Sequence, residues 1–157
     1  MKLSLLVYVV NIQTDRMMNQ IPLVAIIDDD HSFQFMTRTL LERSRKVKNI
    51  VQFRDGEEAF EYFMANKYYP DQIPDLLFVD IQMPYLNGWQ LLRKLIKSGL
   101  EKQINTVVIC SSSERSSYSD VSDSFDNLDA LLEKPLSRND IDNVLDRKLK
   151  ELAGVSD

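Results

Sequence analysis

The chain is poor in the residues that build disulfide frameworks and transition-metal sites: among 157 residues there is one cysteine, Cys110, and one histidine, His31. A single thiol excludes an internal disulfide framework and fits a reducing compartment, so the cytoplasm is the expected location. A lone histidine without a second histidine or a cysteine nearby excludes the common zinc ligand sets. His31 then reads as a surface residue in the first turn of a helix, and Cys110 as a small core residue. A net charge of −5, from 19 basic and 24 acidic side chains, speaks against nucleic-acid binding through a broad basic face. No internal repeat is visible, and no apolar run approaches the roughly 20 residues that cross a bilayer. The run Leu3–Val10 follows Lys2, but it is short and no small-residue cleavage site succeeds it. Residues 1–20 are therefore expected to be an extension without function of its own, or translation begins at Met17 or Met18.

What is present is an ordinary globular composition, 44% hydrophobic and 27% charged, organised around Leu76-Leu77-Phe78-Val79-Asp80. An apolar run that stops in an acid, followed by Pro84 and Gly88, predicts a strand buried on both faces with Asp80 at its carboxyl end. Leu23–Ile27, ending in Asp28-Asp29-Asp30, predicts another such strand, and Asn49–Phe53 and Thr106–Cys110 two more. Ala130–Leu132 is a short fifth, stopped by Pro135. Between them lie helical patterns: Phe33, Met36, Leu40 and Leu41; Ala59, Phe60, Phe63 and Met64; Trp89, Leu92, Leu95 and Ile96. Asp30 is placed to cap the first, Asp55 with Glu58 to start the second, and Gly99 to end the third. Trp89 reads as helix packing. Lys67–Pro74 reads as a loop. Ser111–Asn127 carries a thin stripe of Tyr118, Val121 and Phe125 among many serines, which predicts a fourth helix of low intrinsic stability that orders on phosphorylation or partner binding. Ser137 begins a last helix with Ile141, Val144, Leu145, Leu149 and Leu152 on one stripe.

A (βα)5 alternation requires parallel strands with right-handed crossovers, hence an α/β doubly wound five-stranded sheet with helices on both faces. Parallel strands bring their carboxyl ends to one edge. In the order 2-1-3-4-5, strands one and three are neighbours, so Asp28, Asp29 and Asp80 converge there. Three carboxylates at one place need a cation or raised pKa values, and an all-oxygen donor set suits Mg²⁺, or Mn²⁺. Lys134 adds an ammonium at the end of strand five and Ser111 a hydroxyl at the end of strand four. A cation, an ammonium and a hydroxyl around one carboxylate compose a site for phosphoryl transfer onto that carboxylate.

The set Val24-Ala25-Ile26-Ile27-Asp28-Asp29-Asp30, Asp80-Ile81-Gln82-Met83-Pro84 with Gly88, Ser111, and Lys134-Pro135 resembles the CheY-like receiver domain of two-component response regulators. The resemblance covers about Leu23 to Leu152. It implies that Asp80 is the phospho-acceptor. It also implies that Asp28, Asp29 and Asp80, with the Gln82 backbone carbonyl, hold Mg²⁺, and that Ser111 and Lys134 meet the phosphoryl group. Ser112 and Ser113 flank that place as loop polar groups able to tune water access. Leu131 departs from the aromatic that the family often places three residues before the lysine, and Ser111 replaces the commoner threonine. The implied donor is a histidine kinase or histidine phosphotransfer protein, with a downstream protein receiving the signal. A monomer or a phosphorylation-linked dimer is expected, and neither membrane nor nucleic acid is an expected partner.

The expected organisation is an extension over 1–20, a receiver domain over 21–152 and a tail over 153–157. With no output domain expected to follow, the resemblance implies a stand-alone response regulator. Two other functions compete with the phospho-acceptor. A receiver-like adaptor independent of phosphorylation would not need the intact acidic set. A Mg²⁺-dependent aspartyl phosphatase commonly needs an acid two residues after its nucleophile, where this chain has Gln82.

Overall fold

The computed structural model describes residues 19–112 and 126–155. The apolar run Leu3–Val10, both candidate start methionines, most of the serine-rich fourth helical stretch and Ser113 lie outside the described residues. Five parallel strands form one sheet in the order β2-β1-β3-β4-β5: β1 Ile21–Ile27, β2 Val47–Phe53, β3 Leu76–Asp80, β4 Thr106–Ser111 and β5 Leu128–Glu133. The described α-helices are α1 His31–Ser44, α2 Gly56–Asn66, α3 Gly88–Ser98 and α4 Arg138–Leu152. This is the expected doubly wound α/β architecture.

Alternation along the strands divides the core in two. Ala25 and Ile27 of β1, with Leu77 and Val79 of β3, face Ala59 and Phe63 of α2 and Leu92 and Leu95 of α3. Val24, Ile26, Leu76 and Phe78 face the opposite way, onto Phe33 and Leu41 of α1 and Ile141, Val144 and Leu145 of α4. Trp89 and Cys110 are both buried, one in each cluster, as packing residues. All five residues of β3 are buried, and the first four, Leu76–Val79, form the unbroken apolar run that Asp80 ends. Burying a side chain of this size contributes about 1.5–3 kcal/mol relative to leaving it in water.

The strands extend past the apolar runs that signal them. β1 begins at Ile21, opposite Val47 of β2, so β2 starts two residues before Asn49. β5 begins at Leu128, opposite Val107 of β4, and runs to Glu133, opposite Ser111. Parallel pairing is a backbone property, and it carries polar residues such as Lys48, Asp129 and Glu133 into strands whose side chains look outward. The loop Lys67–Pro74 contains one 3₁₀ turn, Pro70–Gln72.

Helix ends follow local chemistry. The Asp30 carboxylate accepts from the N–H groups of Ser32 (2.8 Å) and Phe33 (3.3 Å), capping α1 as expected and leaving His31 exposed in the first turn. Asp55 caps α2 by accepting from Glu58 N at 2.9 Å, while the Glu58 carboxylate accepts from Arg54 N at 2.8 Å, one residue before the reciprocal partner of a standard capping box. Asn87 and Gln90 form a full capping box on α3, a signal the sequence reading passed over, and Gly99 ends that helix at φ 73°. Ser137 and Asp140 form another on α4. Among the described residues, no helix is long and apolar enough to cross a membrane.

Candidate functional site

β1 and β3 lie side by side, with Ile27 opposite Val79, so Asp28 and Asp80 leave the sheet together at its carboxyl edge. Asp28 and Asp80 are buried and Asp29 is exposed, and each offers a carboxylate oxygen within 4.8 Å of the other two. Lys134, one residue past β5, sends its ammonium into the same place. Its Nζ stands 2.6 Å from Asp28 Oδ2 and 3.2 Å from Asp80 Oδ2. Asp28, Asp29, Asp80 and Lys134 converge, and the Ser111 carbonyl at the end of the neighbouring strand accepts from Lys134 N at 2.9 Å. Ser111 is half-buried at the end of β4, one residue beyond Cys110, which pairs with Asp80. Ser112 is exposed beside it, and Leu131 is 40% exposed on the edge strand β5.

The backbone holds the carboxylates in place. Asp28 Oδ1 accepts from Asp30 N at 2.9 Å, and Asp80 Oδ1 accepts from Gln82 N at 3.2 Å. These bonds leave the Oδ2 atoms of both residues to the ammonium. Burial pushes the Asp28 carboxyl above the ordinary range, against the pull of Lys134 and the Asp30 N–H. Burial raises Asp80 likewise, against the pull of Lys134 and the Gln82 N–H, with the Asp29 charge adding to the rise. For Lys134, burial acts downward, but the two carboxylates together outweigh it and hold the ammonium above the ordinary lysine value. The site is thus a buried triad in which two carboxylates share one cation, with an all-oxygen acceptor set still in excess of positive charge.

That excess is the test of a metal. The oxygen donors of Asp28, Asp29 and Asp80 are near enough together to share one small ion, contain no nitrogen or sulfur, and combine buried with exposed groups. This chemistry fits a hard divalent cation that keeps some of its waters.

Two contributors, Gln34 and Phe33, were not singled out as site residues by sequence, and a third, Gly88, was singled out without its packing role. Gly88 reads as turn punctuation, but its backbone packs on Asp80: a β-carbon there would collide with the Asp80 carbonyl oxygen, while Gly88 N donates to Ile81 O at 3.1 Å. The spacing from Asp80 to Gly88 is therefore a close-approach constraint, readable only once the loop is known to fold back. Gln34 is buried, and its Nε2 donates to the carbonyls of Asp28 and Phe53, each at 2.7 Å, pinning the end of β1 to the end of β2. Phe33, read only as part of the α1 stripe, places its ring 4.3 Å from Lys134 Nζ. Polar atoms and a ring at these positions carry no signature in the sequence by themselves.

Comparison with known proteins points one way. The family model for the response regulator receiver domain matches residues 24–146. A "Protein-glutamate methylesterase/protein-glutamine glutaminase" of Bacillus subtilis is 31% identical over 74 residues, 47% of this chain, and the chain covers 19% of that protein's length. The "Probable methanogenesis regulatory protein FilR2" of Methanothrix harundinacea is 23% identical over 130 residues, 82% of this chain and 81% of the relative. Among solved structures, a two-component response regulator from Cytophaga hutchinsonii superposes with a TM-score of 0.73 at 25% identity, over 83% of this chain and 98% of the other.

Proposed function

We propose, from the premise that this chain belongs to the response regulator receiver domain family, that it is a phospho-acceptor signalling module whose acceptor is Asp80. The observation that carries this reading is the placement of Lys134 between two buried carboxylates, 2.6 Å from Asp28 and 3.2 Å from Asp80. A buried ammonium shared in this way is positioned to stay with Asp80 as charge builds on a transferring group. The receiver unit is proposed to span 21–152.

In the transfer, an Asp80 carboxylate oxygen forms the bond to phosphorus as the bond from phosphorus to the donor breaks, its electron pair leaving with the donor. The proposed donor is the phosphorylated histidine of a kinase or phosphotransfer protein. The Gln82 N–H holds one Asp80 oxygen by hydrogen bonding, which orients the other. Lys134 faces that second oxygen and exchanges part of its pairing with Asp80 for an oxygen of the arriving group. Ser111, at the end of the neighbouring strand, supplies a hydroxyl donor, and the exposed Ser112 tunes the access of water. Asp28, Asp29, Asp80 and the Gln82 carbonyl are the proposed holders of Mg²⁺ or Mn²⁺. Such a cation, when bound, neutralises the phosphoryl oxygens that the carboxylates would otherwise repel.

The phosphorylation-independent adaptor gains no support from a site that keeps its acids and its lysine together. The phosphatase reading lacks an acid at Gln82, whose backbone is engaged with Asp80.

The test is the intact mass of the protein after incubation with acetyl phosphate and Mg²⁺, beside an Asp80→Asn control. One phosphoryl adduct that requires Mg²⁺ and disappears in the control is expected. No adduct on the unaltered protein overturns the acceptor reading.

A further inference from the structure

We infer that Phe33 is a positioning residue for phosphoryl transfer, holding the Lys134 ammonium against Asp28 and Asp80 through the face of its ring; this rests on the acceptor reading above. An ammonium carries three N–H donors and a positive charge that must be met on every side once water is removed. Around Lys134 Nζ, Asp28 Oδ2 and Asp80 Oδ2 lie at 2.6 and 3.2 Å. The Phe33 ring also faces the ammonium, its centroid 4.3 Å from Nζ. Lys134 is only 14% exposed in its side chain and Phe33 7% overall, so water has little access to the ammonium. A cation at this distance is attracted by the negative face of an aromatic ring, and the attraction strengthens where water is excluded.

The ring suits this place better than a third acid or an aliphatic group would. Another carboxylate would compete with Asp80 for the ammonium and add to the charge a phosphoryl group must overcome. An aliphatic side chain fills the space but offers the cation no electrostatic attraction there, so the lysine would be held less firmly. The aromatic face attracts the cation without forming a directed bond, so Nζ can turn from Asp80 toward an arriving phosphoryl oxygen while its position is kept. The ring itself is fixed from behind: Phe33 is in the first turn of α1, under the Asp30 cap, and packs within the cluster that includes Ile26, Phe78 and Leu136. The residue therefore touches the group that acts and not the reacting atoms.

The experiment compares Phe33→Leu and Phe33→Tyr with the unaltered full chain. The first removes the ring and keeps an apolar side chain; the second keeps the aromatic face. Two quantities are read: the rate of adduct formation from acetyl phosphate with Mg²⁺, and the chemical shift of the Lys134 ε-methylene protons, which a ring face moves upfield. Phe33→Leu is expected to lose the upfield shift and to slow adduct formation on the order of tenfold, with Phe33→Tyr close to the unaltered protein in both. If Phe33→Leu does not fold by circular dichroism, Phe33→Met takes its place with the same expectation. A Leu or Met variant that is phosphorylated at the unaltered rate overturns the role of Phe33 and leaves the acceptor reading standing. Equal slowing in the Leu and Tyr variants also overturns it, because packing and not the ring face would then be responsible. No adduct on the unaltered chain removes the acceptor reading and this inference with it.

Discussion

Replacing Lys134 with methionine tests the electrostatic account of the site most directly. The substitution keeps an unbranched side chain beside Phe33 and deletes the charge. Asp28 and Asp80 are 1% and 5% exposed, and Lys134 lies 2.6 and 3.2 Å from their Oδ2 atoms. Removing one partner of a buried ion pair leaves an uncompensated charge and costs about 3–5 kcal/mol. The lysine retains slight exposure and each carboxylate keeps one backbone N–H, so the low end, about 3 kcal/mol at pH 7.5, is expected. The cost must depend on pH, with a definite sign. Both carboxyls already have folded pKa values above their unfolded ones, so their protonated forms favour the fold and that contribution is lost as pH rises through the folded values. Without the ammonium the values rise further. The deficit of Lys134→Met is therefore largest at pH 7.5 and shrinks as the pH is lowered to 4.5 and the raised carboxyls move toward their protonated forms. Lys134 itself, raised above the ordinary lysine value, stays charged throughout this window and adds no slope. Urea unfolding in the presence of a chelator measures it: with a slope near 2 kcal/mol per molar urea, 3 kcal/mol is a midpoint shift of about 1.5 M. A deficit below about 1 kcal/mol at pH 7.5, or one equal at the two pH values, would refute the reasoning.

Other predictions concern the frame around the site. Gly88→Ala drives a methyl group into the Asp80 carbonyl and should lower stability by about 1–3 kcal/mol in urea unfolding while also reducing adduct formation; an unchanged midpoint would show the loop moves away freely. Tyr85 is 88% exposed at φ 63°, a left-handed conformation unfavourable for an aromatic residue, so Tyr85→Gly should gain a few tenths to about 1 kcal/mol in urea unfolding. Burial raises the Asp75 carboxyl, against the Leu23 N–H that it accepts at 3.2 Å and the charge of Lys148. Its protonated form favours the fold, and that contribution is lost as pH rises through the folded value. Asp75→Asn should therefore unfold at a higher temperature than the unaltered protein at pH 7.5, with the difference closing by about pH 4; a lower melting temperature at pH 7.5 would count against this.

What was legible in the sequence, and what was not, divides along a physical line. Short apolar runs ending in acids place Asp28 and Asp80 at strand ends because strands buried on both faces admit only apolar side chains, and the chain must turn where that stops. Ser137 and Gly99 announce helix ends because caps satisfy backbone groups within a few residues of themselves. The βα alternation forces parallel strands, and parallel strands put Asp28, Asp29, Asp80 and Lys134 on one edge. The sequence by itself therefore determined the fold class and the composition of the cluster.

Distances between residues far apart in the chain were decided only by tertiary structure. That Lys134 reaches two carboxylates, that Gly88 must lack a β-carbon to lie on Asp80, that Gln34 ties two strand ends, and that Phe33 faces the ammonium all depend on how separate elements pack. Periodicity identifies Phe33 as inward-facing, and so it is. Which inward neighbour it meets depends on where α1 lies relative to Lys134, just past β5 and about 100 residues further along the chain. Local sequence encodes local geometry, whereas the contacts that tune the site are long-range, and packing alone selects among the many partners a buried side chain might meet.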